Sequence, residues 1–297
     1  MAINPEDNAV PGQKIPLHYH FNMLRDTARM QAFKEALDKK VPAGGKVLEL
    51  GGGTGVLSFF AASRASKVWC VEREPELVEA ARYFQTLNPQ SAKVEIVAGD
   101  AFEYLPPEPV DVVVCEMIHV ALLREKQVQA ISCFKERYLR KFGSLPLFIP
   151  EAAFLAVQPV QQSFDFAGFQ APAPYFFDPL AEQKDTVGLA QPFVYYMLVY
   201  AKELPSRFAC DTELTIQTPG TLNALRFITK NVVGILVNEN RAVEWFSQYL
   251  VAPVPAPFKV QAGDKVQVRF AYDAGARLES LTKALEVTPV GESFISL

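Results

Sequence analysis

One group of residues has the types and spacing of a nucleotide-binding site. The motif Gly51-Gly52-Gly53-Thr54-Gly55 follows an apolar run at residues 47–50, which predicts a strand that runs into a glycine turn and then a helix. Glycine lets the backbone turn tightly and approach a ligand closely. Glu72 ends the next apolar run, about 20 positions after the first glycine, a spacing that suits a carboxylate accepting hydrogen bonds from ribose hydroxyls. Together these features favour a nucleotide ligand over a purely structural turn.

The glycine motif does not fit the dinucleotide pattern GxGxxG. The sixth position is Val56 when counted from Gly51 and Ser58 when counted from Gly53. This disfavours a nicotinamide dehydrogenase. Glu49 stands just before the motif, where a carboxylate would repel a pyrophosphate but could accept from the amino group of a zwitterionic sulfonium ligand. The pattern therefore points to S-adenosylmethionine.

A second acid follows the third apolar run, in Gly99-Asp100-Ala101. Asp100 could accept from an adenine amino group, and Ala101 with Phe102 could line the ring. Taken alone, a Gly-Asp pair after a strand is more often just a turn.

Two glutamates form a further candidate site. Glu116 follows the apolar run at residues 110–115, and ligands of open α/β sheets bind at the carboxyl ends of the strands. Glu125 follows and could turn back from the start of the next helix. Two carboxylates in one pocket need a cation, and a guanidinium has planar N–H donors that match them. The alternative for Glu125 is an ordinary acid in the first helical turn, which leaves Glu116 unexplained.

The framework for these residues alternates between strand and helix patterns. Short, mainly apolar runs predict four strands, at residues 47–50, 68–71, 94–97 and 110–115. Helical patterns occur at residues 21–37, 56–62, 75–87 and 125–140. This order predicts an α/β fold with a doubly wound, parallel, Rossmann-like sheet.

The pattern changes near residue 150. Beyond it, short alternating runs predict an antiparallel β-sandwich or barrel, at residues 214–217, 224–229, 245–251 and 266–272. Residues 163–192 have no clear period and predict an irregular excursion. We therefore expect an N-terminal helix with a cofactor-binding domain over residues 1–150. We expect a β domain for substrate binding and dimerisation over residues 151–297.

Composition excludes several classes of protein. The chain has 297 residues, of which 49% are hydrophobic and 21% charged, as in folded soluble proteins. A net charge of -4 gives no global attraction to nucleic acid or to an anionic membrane, and no apolar run is long enough to span one. Four scattered cysteines without zinc spacing predict no metal site and fit a reducing cytoplasm, and the N-terminus does not read as a secretory signal.

From about His20 to its C-terminus the chain resembles the protein arginine methyltransferases. The stretch from His20 to Arg29 is similar to the family's segment that folds over the cofactor. Residues 47–57 resemble its glycine motif and residues 68–72 its ribose-binding strand. The separation of Glu116 and Glu125 is that of its double-glutamate loop.

The resemblance implies S-adenosyl-L-methionine as cofactor and arginine in protein, peptide or free form as acceptor. It also implies a set of site residues by function: His20, Met23, Arg29, Glu49, Gly51, Gly53, Gly55, Glu72, Asp100 and Ala101 for the cofactor, and Glu116 with Glu125 for the substrate guanidinium. Among these, Arg29 would hold the methionine carboxylate and Glu72 the ribose.

The chain departs from the family on the acceptor side. The residues upstream of His20 lack the family's tyrosine-rich helix, Glu244 stands where the family has a histidine, and His119 stands where glycine is usual. Two alternatives therefore stay open. In the first, the acceptor is an amine or a hydroxyl group of a small molecule or a peptide, and His119 is the base. In the second, the chain is a non-catalytic scaffold that keeps the fold.

The resemblance also implies a homodimer, because family members commonly dimerise through an arm that projects from the β domain. Residues 163–192 are the candidate for a shortened arm, and Tyr175-Phe176-Phe177 for its contact. An aromatic triplet is as often internal packing.

Overall fold

The first half of the chain contains a parallel sheet. The computed structural model describes residues 14–181 and 183–291. The strands of the parallel sheet are β1 (Lys46–Leu50), β2 (Lys67–Glu72), β3 (Val94–Ala98), β4 (Val112–Cys115) and β5 (Leu147–Ile149). They lie in the order β3-β2-β1-β4-β5 and are all parallel. The central strands are buried along nearly their whole length, which explains their continuous apolar runs. The predicted doubly wound sheet is confirmed.

Strand β5 is the one strand of this sheet that the sequence did not predict. It has three residues, between Pro146 and Pro150, and is too short to show a period. The parallel sheet ends with it, and antiparallel pairing begins at Ala152.

Six helices are described: α1 (Leu17–Arg25), α2 (Thr27–Lys40), α3 (Val56–Ala61), α4 (Pro75–Leu87), α5 (Gln127–Phe142) and the short α6 (Leu278–Thr282). Helix α4 starts with Pro75 at its first position, as predicted. Helix α5 ends at Gly143, which adopts the left-handed conformation with φ of 80°. No helix in the described parts of the chain is both long and apolar enough to cross a membrane.

The single helix predicted over residues 21–37 is wrong. The chain breaks at Asp26, whose ψ of 89° is not helical, and forms α1 and α2 instead. The carboxylate of Asp26 accepts from the backbone N of Arg29 at 2.8 Å and so caps α2. Helix α2 packs into the core through Phe33, whereas α1 buries no residue.

The second half is a curled antiparallel structure. Its strands are β6 (Ala152–Gln162), β7 (Asp165–Phe166), β8 (Phe169–Gln170), β9 (Tyr175–Phe177), β10 (Thr186–Gly188), β11 (Phe193–Val199), β12 (Arg207–Thr215), β13 (Gly220–Leu236), β14 (Arg241–Phe246), β15 (Tyr249–Val260), β16 (Lys265–Asp273) and β17 (Glu286–Val290). One sheet has the order β10-β6-β13-β15-β9, with β11 on β6 and β14 on β13, and the other has the order β12-β16-β17. The predicted antiparallel β domain is confirmed.

Two details of this half differ from the sequence predictions. The run at residues 245–251 crosses a turn, since β14 ends at Phe246 and β15 begins at Tyr249. The stretch of residues 163–192 is not wholly irregular, because it forms the short strands β7 to β10. Apolar period alone did not reveal them, since none of the four strands has a buried residue.

The aromatic triplet of β9 packs inside the molecule. β9 pairs with β15, and the ring centroid of Phe177 lies 5.5 Å from that of Tyr249. The ring of Tyr175 contacts Phe164, with 6.3 Å between centroids, and Phe176 contacts His119 at 5.0 Å. These contacts favour the internal-packing alternative for the triplet.

Two long-range contacts join the halves beside the candidate site. Trp245 of β14 packs edge-to-face on Phe33 of α2 and donates from Nε1 to Asp26 at 3.1 Å. Thr229 of β13 accepts through its hydroxyl from the buried backbone N of Ala121, at 2.7 Å. The second contact fixes the loop that carries Glu116 to a strand of the β domain.

We predict that Thr229→Val lowers the free energy of unfolding by ~1–3 kcal/mol, because it leaves the buried N–H of Ala121 without an acceptor at nearly unchanged shape. Urea denaturation followed by circular dichroism measures the change. Thr215→Val, at an exposed position of β12, is the control and should stay within ~0.5 kcal/mol of the wild type. Equal stability of the two variants would contradict the anchoring role of Thr229.

Candidate active site

A cavity of about 1430 Å³ opens at the carboxyl ends of β1, β2 and β4. Helix α1 lies on one side of it, and β9, β14 and β15 of the second half lie on the other. Sites for one small molecule have ~300–1,000 Å³, so this cavity has room for two ligands side by side. Its position at the strand ends is where open α/β sheets bind ligands.

The structure brings almost all predicted site residues to the wall of this cavity. They are His20, Met23, Arg29, Glu49, Gly51, Gly53, Glu72, Asp100, Ala101, Glu116 and Glu125. Gly55 lies behind the wall instead, at the N-cap of α3 with φ of 79°. A Cβ atom there would lie 3.7 Å from Ala81 of α4, so we assign Gly55 to helix packing.

The glycine turn is shaped by left-handed backbone and by close neighbours. Gly51 and Gly53 have φ of 75° and 53°, which side chains other than glycine rarely allow. A Cβ atom on Gly53 would lie 2.7 Å from the imidazole of His20, and one on Gly51 would lie 2.9 Å from Met117. The turn therefore needs glycine both for its conformation and for the approach of α1.

Glu72 is held by backbone donors at the end of β2. One carboxylate oxygen accepts from Gly53 N at 2.8 Å, and the other accepts from Arg73 N at 2.7 Å and Glu74 N at 2.8 Å. These bonds fix the orientation of the carboxylate. The oxygen bonded to Gly53 keeps a free lone pair, as an acceptor for a ribose hydroxyl requires.

Glu49 is a buried acid with few compensating donors. Its Oε2 accepts from Ser58 N at 2.9 Å and also from the Ser58 hydroxyl. Burial raises the pKa of Glu49 to about 7. An ammonium group placed beside it would stabilise the ionised form.

His20 presents an unused polar atom to the same region. Its Nε2 is buried and has no hydrogen-bond partner in the described chain, and burial lowers its pKa. A buried nitrogen without a partner costs free energy unless a ligand or water meets it.

Asp100 is held after β3 by a bond from Phe102 N at 2.8 Å. His20 and Asp100, with Glu49 and Glu72, suit the amino, ribose and adenine parts of S-adenosylmethionine.

Arg29 and Glu116 form an ion pair inside the cavity. Both the Nε and Nη2 atoms of Arg29 donate to one oxygen of Glu116, the first at 3.1 Å. The two side chains are only 8% and 9% exposed. Nη1 takes no part in this ion pair and donates to the sulfur of Met30 at 3.6 Å, which is a weak acceptor. Nη1 is therefore the nitrogen of Arg29 that can still donate to a carboxylate of a ligand.

Glu125 differs from Glu116 in having no such partner. No hydrogen bond or ion pair from its side chain occurs within residues 14–181 and 183–291. Burial and the nearby charge of Glu116 raise its pKa to about 8. Glu125 precedes α5, which begins at Gln127, so its interpretation as a first-turn helix acid is wrong.

The loop between the two glutamates is strained and anchored. Ala121, Leu122 and Arg124 have φ of 57°, 52° and 61°, and each such residue costs ~1–3 kcal/mol. Backbone bonds from the β domain oppose this cost: Arg124 N donates to Ala276 O at 2.8 Å and Gly275 N donates to Leu122 O at 2.7 Å. Such loops are typical of functional sites.

The first part of the same loop is held by Gln127, which is fully buried. Its side chain accepts from Met117 N at 2.8 Å and donates to Cys115 O at 2.6 Å. Sequence reasoning missed both Gln127 and Thr229. Their partners are backbone groups with no sequence signature, so composition and spacing held no signal for them.

His119 also lines the cavity. Its ring packs edge-to-face on Phe176, and Nδ1 lies 3.3 Å from Val120 O. Burial, with the charge of Arg124, lowers the pKa of His119 to about 4. The imidazole is therefore neutral at physiological pH.

Comparison with known proteins agrees with this geometry. Residues 47–143 match the model of a methyltransferase domain. The chain of a Trypanosoma brucei PRMT1 enzyme–prozyme heterotetramer has the same fold, with a TM-score of 0.71 and 16% identity over 92% of this chain and 98% of that one. The chain is a class I, S-adenosylmethionine-dependent methyltransferase that resembles the protein arginine methyltransferases.

Relatives of this methyltransferase fall into two groups. An uncharacterized protein of Methanothermobacter thermautotrophicus is 29% identical over 90% of this chain and 97% of its own length. An arginine N(omega)-methyltransferase of Streptomyces achromogenes subsp. streptozoticus is 32% identical over 46% of this chain. The match spans only 38% of the Streptomyces protein. The sequence likeness to this enzyme of named activity therefore covers about half of the chain.

We predict that Gly53→Ala weakens the binding of S-adenosylhomocysteine more than about tenfold, because the added methyl group meets His20 at the glycine turn. Isothermal titration calorimetry measures the affinity. Gly143→Ala is the matched control, since Gly143 is also left-handed but a Cβ atom there meets nothing within 4 Å. Both variants should lose stability by ~1–2 kcal/mol, and only the first should lose affinity. Equal affinities would show that the turn does not contact the cofactor.

Proposed function

We propose that this methyltransferase moves the methyl group of S-adenosylmethionine to a guanidinium nitrogen of arginine, which Glu116 and Glu125 hold. The observation that carries the proposal is the difference between the partners of the two carboxylates. Both line one cavity, Glu116 is paired with Arg29, and no cation among the described residues is bonded to Glu125. A guanidinium offers the missing charge and parallel N–H donors.

The name of the Streptomyces relative, an arginine N(omega)-methyltransferase, supports the same acceptor. The site residues of the first 150 positions would bind the cofactor, and residues 151–297 would complete the acceptor side through β9, β14 and β15. Residues 1–13 and 292–297 of these two proposed domains lie outside the described residues. A homodimer and a cytoplasmic location remain predictions.

Bound S-adenosylmethionine supplies an electrophilic methyl group on a cationic sulfur. The protein must then bring a second cation, the guanidinium, next to that sulfur. Glu116 and Glu125 offset the repulsion between the two and orient the attacking nitrogen along the line of displacement. Arg29 keeps Glu116 in place through two hydrogen bonds, which limits the reorganisation needed.

The reaction also releases a proton, because the nitrogen forms a bond to carbon and gives up its hydrogen. We assign Glu125 as the base that takes up this proton. Burial raises the pKa of Glu125 to about 8, so its carboxylate is a stronger base than an exposed glutamate. A bound guanidinium lowers this pKa and keeps the group ionised until the proton leaves.

We predict that Glu125→Gln lowers kcat/KM about 10²–10⁴-fold, because the amide keeps the shape but neither balances the guanidinium nor takes its proton. Its affinity for S-adenosylhomocysteine should stay within about threefold of the wild type. Methyl transfer from labelled S-adenosylmethionine and calorimetry measure the two quantities. Glu136→Gln, an exposed change on α5, is the control. Parallel loss of activity and of cofactor affinity would show that Glu125 serves the cofactor or the fold.

Acceptor binding should also depend on pH. Glu125 carries a proton below about pH 8 in the free protein, and the guanidinium binds the ionised form, so binding releases a proton there. The dissociation constant of arginine should rise up to about tenfold for each pH unit below 8 and level off above it. Calorimetry in buffers of different ionisation enthalpy measures affinity and proton release together. Affinity that is flat with pH, without proton release, would contradict the assignment.

A further inference from the structure

Arg124 is a charged residue of the acceptor side that the proposed reaction leaves unused. It stands next to Glu125 in the loop and lines the same cavity. Within residues 14–181 and 183–291, its guanidinium forms no ion pair with a carboxylate and no hydrogen bond. A half-buried guanidinium in an enclosed site is costly unless an anion meets it.

The backbone directs this side chain into the cavity. Arg124 is left-handed, with φ of 61°, and its N donates to Ala276 O at 2.8 Å. In an extended chain, consecutive side chains point to opposite sides, but the left-handed turn interrupts this alternation. Both Arg124 and Glu125 therefore face one cavity, although the conformation of Arg124 is unfavourable for a residue other than glycine.

The guanidinium is also positioned from the β domain. Its central carbon lies 6.0 Å from the ring centroid of Phe176, within the range of a cation–π contact. The same ring packs on His119, so Arg124 lies on the acceptor side of the cavity rather than beside the glycine turn. Burial lowers the pKa of His119, and the charge of Arg124 lowers it further.

A positive charge at this place affects which acceptors can bind. A second guanidinium next to Glu125 meets repulsion from Arg124, which works against the attraction of the two glutamates. When the acceptor also carries an anionic group apart from its guanidinium, Arg124 attracts that group and offsets the repulsion. Arginine side chains bind carboxylates through two parallel hydrogen bonds, which matches the fork of Arg124 to a carboxylate.

We propose that Arg124 binds a carboxylate of the acceptor, so that the substrate is a guanidinium compound with a free carboxylate. This rests on the proposed function and narrows its substrate class. Two sources share the chemistry: free arginine, and a peptide that ends in arginine. An arginine within a polypeptide lacks the carboxylate and is excluded as a good acceptor.

The test compares four acceptors that have the same guanidinium: L-arginine, agmatine, a short peptide ending in arginine, and the same peptide with an amidated C-terminus. Agmatine and the amidated peptide lack the carboxylate. The wild type should have a kcat/KM for L-arginine or for the acid peptide about 10- to 100-fold above that of its carboxylate-free partner. The larger of the two preferences identifies the source.

Arg124→Gln should reduce this preference to less than about threefold, through a higher KM for the carboxylate-bearing acceptor. Its activity on agmatine should be unchanged or higher, which also shows that the variant folds. Arg124→Lys should keep part of the preference, because it keeps the charge without the fork. Arg140→Gln, an exposed change on α5, should keep all of it. Calorimetry with S-adenosylhomocysteine present should show the same order of affinities.

Two results would overturn the proposal while leaving the proposed function intact. One is equal use of the acid and carboxylate-free acceptors by the wild type. The other is an equal loss on arginine and agmatine in Arg124→Gln. Methyl transfer to none of the four acceptors would instead overturn the proposed function, and this inference with it.

Discussion

The central constraint on this molecule is the enclosure of three carboxylates, one fully and two partly buried, near the charge of Arg29. Glu49, Glu116 and Glu125 all lie within reach of the charge of Arg29, and of these three Glu116 is the one bonded to it in the described part of the chain. Burial favours the neutral form of an acid, and the pKa values of Glu49 and Glu125 rise accordingly. A cationic ligand offsets the free-energy cost of ionising an enclosed carboxylate. A site with more buried acid than base is therefore one that selects an ammonium, a sulfonium or a guanidinium.

Maintaining these acids requires both halves of the chain. The parallel sheet places Glu49 and Glu116 at strand ends, but the loop that carries Glu125 contains three left-handed residues that would relax if released. Thr229 and the backbone at Ala276, both from the β domain, hold that loop through hydrogen bonds. The second half thus forms part of the active-site framework as well as one wall of the cavity.

Sequence alone predicted the features that depend on neighbouring residues. The continuous apolar strands and the glycine turn followed from local pattern, and so did the position of Glu72. It did not predict the break at Asp26, since the apolar spacing continues through it, or the start of α5 after Glu125. The pairing of Arg29 with Glu116 joins residues on different elements, and no local pattern encodes such a contact. Long-range hydrogen bonds take part in several of the missed features, such as the bond from Trp245 to Asp26 and that from Arg124 N to Ala276 O.

The identity of the catalytic base follows from comparing two groups in the cavity. His119 has a pKa near 4 because it is buried beside Arg124, so it is a weak base at neutral pH. Glu125 has a pKa near 8 in the free protein and is the stronger proton acceptor. An amine or hydroxyl acceptor that relied on His119 would lack an effective base, and it would give Glu125 no guanidinium to pair with. The electrostatics of the site therefore favour a cationic acceptor, with Glu125 rather than His119 removing the proton.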